Sequence, residues 1–538
     1  MEKVLELNVQ KSFQHENNQW ITIDEVLEQI GQIGKFQIFV LILFSLLYMP
    51  PAFQAFNIVF LADSPKWQCT GISQECNSTN LFSADNDKRC KLNRSSWKYS
   101  KPDSYSIVTQ FDLICKRDSY AYLANSALFL GEIIGTILIG WLSDRYGRKK
   151  VLIPAYIGLI LFSFTGSFST NIFLFIFLRG LVGICFGGVL LSNMVLSVEL
   201  VLAERRALAG LVIWNMWTLG LFIMTLFAWL LEDWRKLSMI LSAPFLIFAL
   251  GGCCIPESVR WLRTKNHLHE AEAILRKVAK INRSSYPEGK KLIPIHDSEI
   301  ARGSYKDLFK GWIMLRKAIA VASMWFTNDF IYYAITIAAG NFTGNLYHDF
   351  MFICSVDFPA NLVSIYVINR IGRKRGAIAG YSVTCLCLVS YALMQIFGIE
   401  ILPIRVTIAM IAKFSSLLTW LTVQIWTGEL YPTAIRSRAM AFFFLMGVSG
   451  GAASPWLSQF TRQFWAPLPF LIMGCAPVVP LLFCFTLKET KGLIVVDSLL
   501  ETEKLNKDDK KTDCDADLSV YENVRLAENE RSAIFQTD

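Results

Sequence analysis

Apolar runs of about 20 residues recur between Lys35 and Leu487, each closed by a short charged segment. A helix of that length crosses the ~30 Å hydrocarbon core of a bilayer, and no soluble fold buries so many of them. The pattern predicts twelve membrane helices, at about 36–61, 119–141, 151–170, 172–195, 208–230, 236–255, 318–339, 346–369, 377–397, 402–426, 438–460 and 465–486. The chain is therefore expected to be an all-α, multi-pass membrane protein whose first partner is the lipid bilayer. Residues 1–34 are polar and the first apolar run is full length, so a cytoplasmic N-terminus is expected rather than a cleavable signal.

Composition agrees with this reading. Of 538 residues, 53% are hydrophobic and 18% charged, against about 25% charged in an average soluble domain. The net charge of +8 sits in loops between apolar runs rather than on one face, which argues for topology and against nucleic-acid binding. With both termini inside, the segments Arg145 to Lys150, Arg205-Arg206, Arg260 to Lys317, Arg370 to Arg375 and Arg436 to Arg438 are all cytoplasmic. Arg235-Lys236 is the clear exception.

Three longer segments lie outside the membrane. Residues 63–118 follow the first helix and face outward. They carry Cys69, Cys76, Cys90 and Cys115, expected as two disulfides with three possible pairings, and the glycan acceptors Asn77 and Asn93. Asn282 has the same sequon but falls on the cytoplasmic side, where it should go unused. The other nine cysteines lack metal spacing and read mostly as small core residues. Residues 256–317 form a basic linker in which Leu268, Ala271, Ile274, Leu275 and Val278 share a helical face, expected to lie on the inner membrane surface. Residues 488–538 are charged, without apolar periodicity, and are expected to be a disordered cytoplasmic tail.

Internal repetition turns the count into an architecture. Asp144-Arg145-Tyr146-Gly147-Arg148 after helix 2 is echoed by Asn369-Arg370-Ile371-Gly372-Arg373 after helix 8, a shift of 225. Glu199 and Arg206 recur as Glu429 and Arg436, and Glu257 recurs as Glu489, at shifts of 230 and 232. Arg179 in helix 4 matches Lys413 in helix 10. The expectation is two pseudo-symmetric six-helix bundles, 35–255 and 318–487, joined by the linker. Asp144, Arg145, Arg148, Glu199, Arg206, Glu257, Arg373, Glu429, Arg436 and Glu489 share one cytoplasmic depth. Acids recurring beside bases suggest pairs between helices that lock the inner face and break when the halves rock.

The segment Gly140-Trp141-Leu142-Ser143-Asp144-Arg145-Tyr146-Gly147-Arg148-Lys149 resembles the loop signature of the major facilitator superfamily. Pro256-Glu257-Ser258-Val259-Arg260-Trp261-Leu262, Glu429-Leu430-Tyr431-Pro432-Thr433-Ala434-Ile435-Arg436 and Glu489-Thr490-Lys491-Gly492 resemble solute carrier family 22 within it, as does the cysteine loop. That family comprises organic cation, zwitterion and anion transporters of the plasma membrane. Val259 and Lys488 depart from the usual prolines of these motifs, at helix ends rather than in a cavity.

Ionisable groups inside the membrane are costly and point to function. Glu132 lies 12 residues from Asp144, about 18 Å from the inner face and near mid-membrane. Adding the repeat shift of 225 leads to Asp357, so both acids are expected at the central cavity, which should be anionic. Arg179 and Lys413 are expected to be structural. The resemblance implies that anion members carry Lys at the position of Asn361, and Arg at that of Val448, where cation members carry Asp. Tyr332 and Tyr333, with Trp325 and Trp420, offer rings to an ammonium group, and Trp214 and Trp217 are secondary candidates. The five histidines avoid the helices, no nucleophile cluster or metal spacing occurs, and no Walker loop is present. An enzyme, a cofactor and ATP coupling are not expected. The reading is a polyspecific, facilitative, potential-driven carrier of small organic cations or zwitterions. An organic anion exchanger and a transport-inactive receptor-like member are the alternatives, and the oligomeric state stays open.

Overall fold

The computed structural model describes residues 20–31, 34–70, 87–201, 206–287, 289–294, 305–338, 345–399 and 401–491. Among these, 11 helical spans are long and apolar enough to cross a membrane: Lys35–Leu61, Cys115–Tyr146, Arg148–Gly166, Ile172–Glu199, Ala209–Leu231, Trp234–Gly252, Leu346–Ile371, Arg373–Ile396, Leu402–Leu430, Arg438–Leu457 and Leu468–Thr486. The helix Gly311–Ile337 is long enough, at 27 residues, to be another. It begins earlier than the pattern predicts and carries Arg316, Lys317, Asn328 and Asp329, which dilute its apolar character. The twelve are numbered below as spans 1 to 12 in chain order.

Spans 1 and 8 are among those broken where proline removes a donor. Span 1 is interrupted at Tyr48, next to Pro50-Pro51, and again at Asn57. In span 8, Pro359 has no N–H for the carbonyl of Ser355, and the helix stops at Ser355 and restarts at Asp357. Asp357 thereby enters the first turn of a helical segment, where the dipole favours a carboxylate.

Spans 2 and 4 approach backbone to backbone. A Cβ at Gly131 would overlap the carbonyl of Gly180, and one at Gly183 that of Leu128. Small residues permit such contact where water gives no help. This seam fixes the rotation of span 2 and hence the direction of Glu132.

On the outer side the two halves meet through rings. Phe56 of span 1 stacks on Tyr333 at 5.3 Å and abuts Phe350 at 6.2 Å, while Phe60 stacks on Tyr347 at 5.6 Å. Phe129 of span 2 meets Tyr333 edge-on at 4.8 Å. These ring contacts join the two halves at this end.

The outer loop is held by a Cys90–Cys115 disulfide and by an antiparallel pairing of Trp67–Cys69 with Trp97–Tyr99. Cys69 is also disulfide-bonded. Cys76 and Asn77 lie outside the described residues, and Asn93 is exposed. Nearby, burial raises the Asp63 carboxyl above its ordinary range, only partly opposed by the Tyr105 hydroxyl that donates to it at 2.7 Å. Arg235 donates to the carbonyls of Ser167 and Ser169 at 2.5 and 2.8 Å. The outward basic pair is thus partly consumed in capping span 3.

Expectations for the linker helix and for the start of the tail are corrected. The linker helix Leu268–Asn282 buries Ala271, Leu275 and Val278, but in one cluster with Ile23, Val26 and Ile30 of the N-terminal segment rather than on lipid. Arg260 pairs with Asp24 at 2.5 Å, and Trp20–Ile21 runs parallel to Lys291–Leu292. Asn282 is structural: its oxygen accepts from the Phe36 N–H at 3.0 Å, and its amide donates to Ile30 O and Gln37 Oε1. Of the tail, Lys488 to Lys491 are docked on the cytoplasmic loops, and 492–538 lie outside the described residues. Cys253, Cys254 and Cys475 are exposed rather than core, whereas Cys354 and Cys484 are buried; Cys514 is not described.

Candidate functional site: a central cavity and the cytoplasmic loops

A cavity of about 710 Å³ lies between the halves, with Glu132, Asp329, Asp357, Asn361 and Val448 in its wall. Tyr48, Trp214, Trp217, Tyr332, Tyr333, Trp420 and Phe444 complete an aromatic lining. All eight residues singled out from the sequence for this site come together here.

The acids are not equivalent. Asp357 is 2% exposed and its Oδ1 stands 3.3 Å from Lys413 Nζ, a fully buried ammonium that also lies 4.9 Å from the centre of the Tyr332 ring. Tyr332 donates to Asp357 Oδ2 at 3.3 Å and accepts from Trp217 Nε1 at 3.3 Å. The expected pair of free carboxylates is therefore corrected, since Asp357 is neutralised by its own base. Lys413 serves the site as that counter-charge.

Glu132 has no such partner. It is 2% exposed, lines the cavity, and its Oε2 accepts no hydrogen bond among the described residues. A further acid, Asp329 of span 7, faces the same space and accepts from Trp420 Nε1 at 2.7 Å. The repeat arithmetic does not reach Asp329, because it selects acids with a counterpart in the other half. The signal that finds it is simpler: an acid in the middle of an apolar run. No Lys, Arg or His lines the cavity among the described residues.

The rings of both halves interlock around these groups. Trp214 meets Trp420 edge-on at 4.7 Å, and Asn361 donates across the halves to Asn215 Oδ1 at 3.4 Å. Trp325 packs behind Trp420 and donates to Thr427 at 3.0 Å, outside the lining.

The cytoplasmic charges keep the repeat symmetry, and pairs form between helices in each half. Arg148 pairs with Asp144 and, at 3.7 Å, with Glu199; Arg373 pairs with Glu429 at 2.7 Å. Each pair stays within one half. Glu257 Oε1 accepts from the backbone N–H groups of Arg148 and Lys149 at 2.8 and 3.0 Å, capping span 3. Glu489 does the same for Arg373 and Lys374 at 2.9 and 3.1 Å, capping span 9. Both caps need the preceding glycine: Gly147 and Gly372 have φ of +119° and +100°, and a Cβ on either would strike the capping carboxylate. Burial alone would raise the Glu489 carboxyl, but backbone donors outweigh it and hold the group below its ordinary range. Arg145 lies 5.3 Å from the Trp141 ring, and Arg436 Nε donates to Tyr431 O at 3.4 Å. The Arg206 side chain lies outside the described residues.

Twelve spans in two related halves around a mid-membrane cavity define a membrane transporter of the major facilitator type. Comparison with known proteins gives the same class. The sugar (and other) transporter family matches residues 76–497. The proton:xylose symporter XylE bound to 6-bromo-6-deoxy-D-glucose superposes with a TM-score of 0.62 at 18% identity, over 87% of this chain and 98% of that one. A partially occluded inward open structure of the xylose transporter XylE from E. coli gives 0.60 at 16%, over 85% and 99%. Among curated sequences, solute carrier family 22 member 6-A of Xenopus laevis is 31% identical, over 77% of this chain and 75% of its own length. An organic cation transporter-like protein of Drosophila melanogaster is 28% identical, over 94% and 96%. Solute carrier family 22 member 3 of Rattus norvegicus is also 28% identical, over 90% and 96%. The chain belongs to solute carrier family 22, within the sugar (and other) transporters of the major facilitator superfamily. Its relatives are transporters, not enzymes.

Proposed function

We propose that the protein carries small organic cations or zwitterions across the plasma membrane by alternating access. The observation that carries this reading is the pair Glu132 and Asp329, two acids facing one aromatic cavity whose described lining contains no base. Asp357 adds no net charge beside Lys413. The rings supply ammonium-binding faces without strict direction, which suits varied cargo. An inside-negative potential favours entry of a cation by about 2.3 kcal/mol per charge per 100 mV.

In this cycle the halves 35–255 and 318–487 rock about the cavity, opening the outer ring contacts while the cytoplasmic loops close on one another. Asp144, Arg145, Arg148, Glu199, Glu257 and their counterparts stiffen the ends that meet. Asn77 and Asn93 carry glycans on the outer loop.

The test is uptake, by cells or proteoliposomes, of a quaternary ammonium, carnitine and an aromatic carboxylate under imposed potentials. Uptake of the first two, rising with inside-negative voltage, is expected. Transport of the carboxylate alone supports anion exchange, and none at all a receptor-like member; either result overturns the proposal.

A further inference from the structure

A second cavity, about 260 Å³, lies within the N-terminal half and is lined by Gln54, Asn57, Ser163, Arg179 and Ser238, among others. Arg179 stands eight residues beyond the N-cap Asn171 of span 4, about 12 Å in from the outer end of the helix. It is 4% exposed. Its repeat counterpart Lys413 has a carboxylate at 3.3 Å; no Asp or Glu lines the cavity beside Arg179 among the described residues.

The polar groups around it form a directed chain. Arg179 Nη1 donates to Asn57 Oδ1 at 2.9 Å and to Gln54 O at 3.2 Å. With its oxygen taken, Asn57 turns its amide nitrogen to Gln54 Oε1, at 3.2 Å. That leaves Gln54 Nε2 without an acceptor among the described residues, and Arg179 Nε and Nη2 are likewise without one. Three buried donors and one full positive charge thus border a single small space. A guanidinium buried without a counter-charge is costly, and an acceptor carrying negative charge is the partner that offsets both the charge and the open donors.

We propose that this cavity binds a small monovalent anion of halide or formate size. One cation sets its charge. A volume far below that of the central cavity sets its size and excludes ring-bearing cargo. The site is independent of what the central cavity carries.

The test uses the purified full chain in nanodiscs, with chloride exchanged for gluconate at constant ionic strength. Chloride should raise the thermal midpoint by about 2 °C, and Arg179→Gln should abolish the difference. Gln54→Leu and Ser163→Val keep the arginine and should shift the chloride dependence to higher concentration, so the test stands if Arg179→Gln fails to fold. A bromide-loaded crystal should show anomalous density within hydrogen-bond reach of Arg179 and Gln54. Ordered water only at that place, a midpoint indifferent to chloride, or a chloride effect unchanged in Gln54→Leu and Ser163→Val would each overturn the proposal.

Discussion

Replacing Glu132 by Gln removes a charge and keeps the shape, because the Gly131 and Gly183 seam still fixes the rotation of span 2. An ammonium centre about 5 Å from the carboxylate gains about 3 kcal/mol at an effective dielectric constant near 20. Part of this is offset by desolvation of both charges. The expected loss is therefore about 1.5 to 3 kcal/mol, or roughly 10- to 100-fold in apparent affinity for a quaternary ammonium. Asp329→Asn should lose somewhat less, since Trp420 Nε1 already donates to that carboxylate. The assay is concentration-dependent uptake of the labelled cation, normalised to surface protein. Glu257→Gln is the control: its carboxylate caps span 3 at the cytoplasmic end, so turnover should fall while cation affinity is spared. Unchanged affinity in both Glu132→Gln and Asp329→Asn would refute the electrostatic reasoning, leaving the transporter fold intact.

Further consequences follow for the frame. Arg436→Ala should lower turnover while surface expression, measured by biotinylation, stays near normal; a variant retained inside the cell would assign Arg436 to folding instead. Cys90→Ser opens a 25-residue loop and should destabilise the outer domain by about 3.5 kcal/mol in the chain-entropy treatment, seen as faster proteolysis of residues 63–118 in membranes. Gly183→Ala forces spans 2 and 4 apart at the Leu128 carbonyl and should cost about 2 to 3 kcal/mol, read as a lower thermal midpoint; an unchanged midpoint would show that the seam is not tight.

The helices were legible because hydrocarbon imposes length and composition on each one, and the repeats because duplicated ends kept their Glu and Gly positions. Glu132 and Asp357 could be placed together by arithmetic. Asp329 could not, having no counterpart at the repeat shift, although it stands in plain view within span 7. The partner of Asp357 was equally within reach, as Lys413 is a buried base in the same half, but sequence alone does not give the 3.3 Å approach. The cytoplasmic acids were read as side-chain pairs, whereas Glu257 and Glu489 spend their oxygens on backbone donors. Charge patterns reveal depth and sign; they do not reveal whether an acid meets a side chain or a helix end. Whether ion pairs cross between halves depends on the conformation, which no linear pattern encodes.

The outer seal consists of stacked rings, with Phe56, Phe60, Tyr333, Tyr347 and Phe350 at its centre. Parting them wets hydrocarbon, so the outward-opening step should carry a positive heat capacity and respond weakly to ionic strength. Temperature, far more than salt, is then the variable that sets how readily this carrier resets toward the outside.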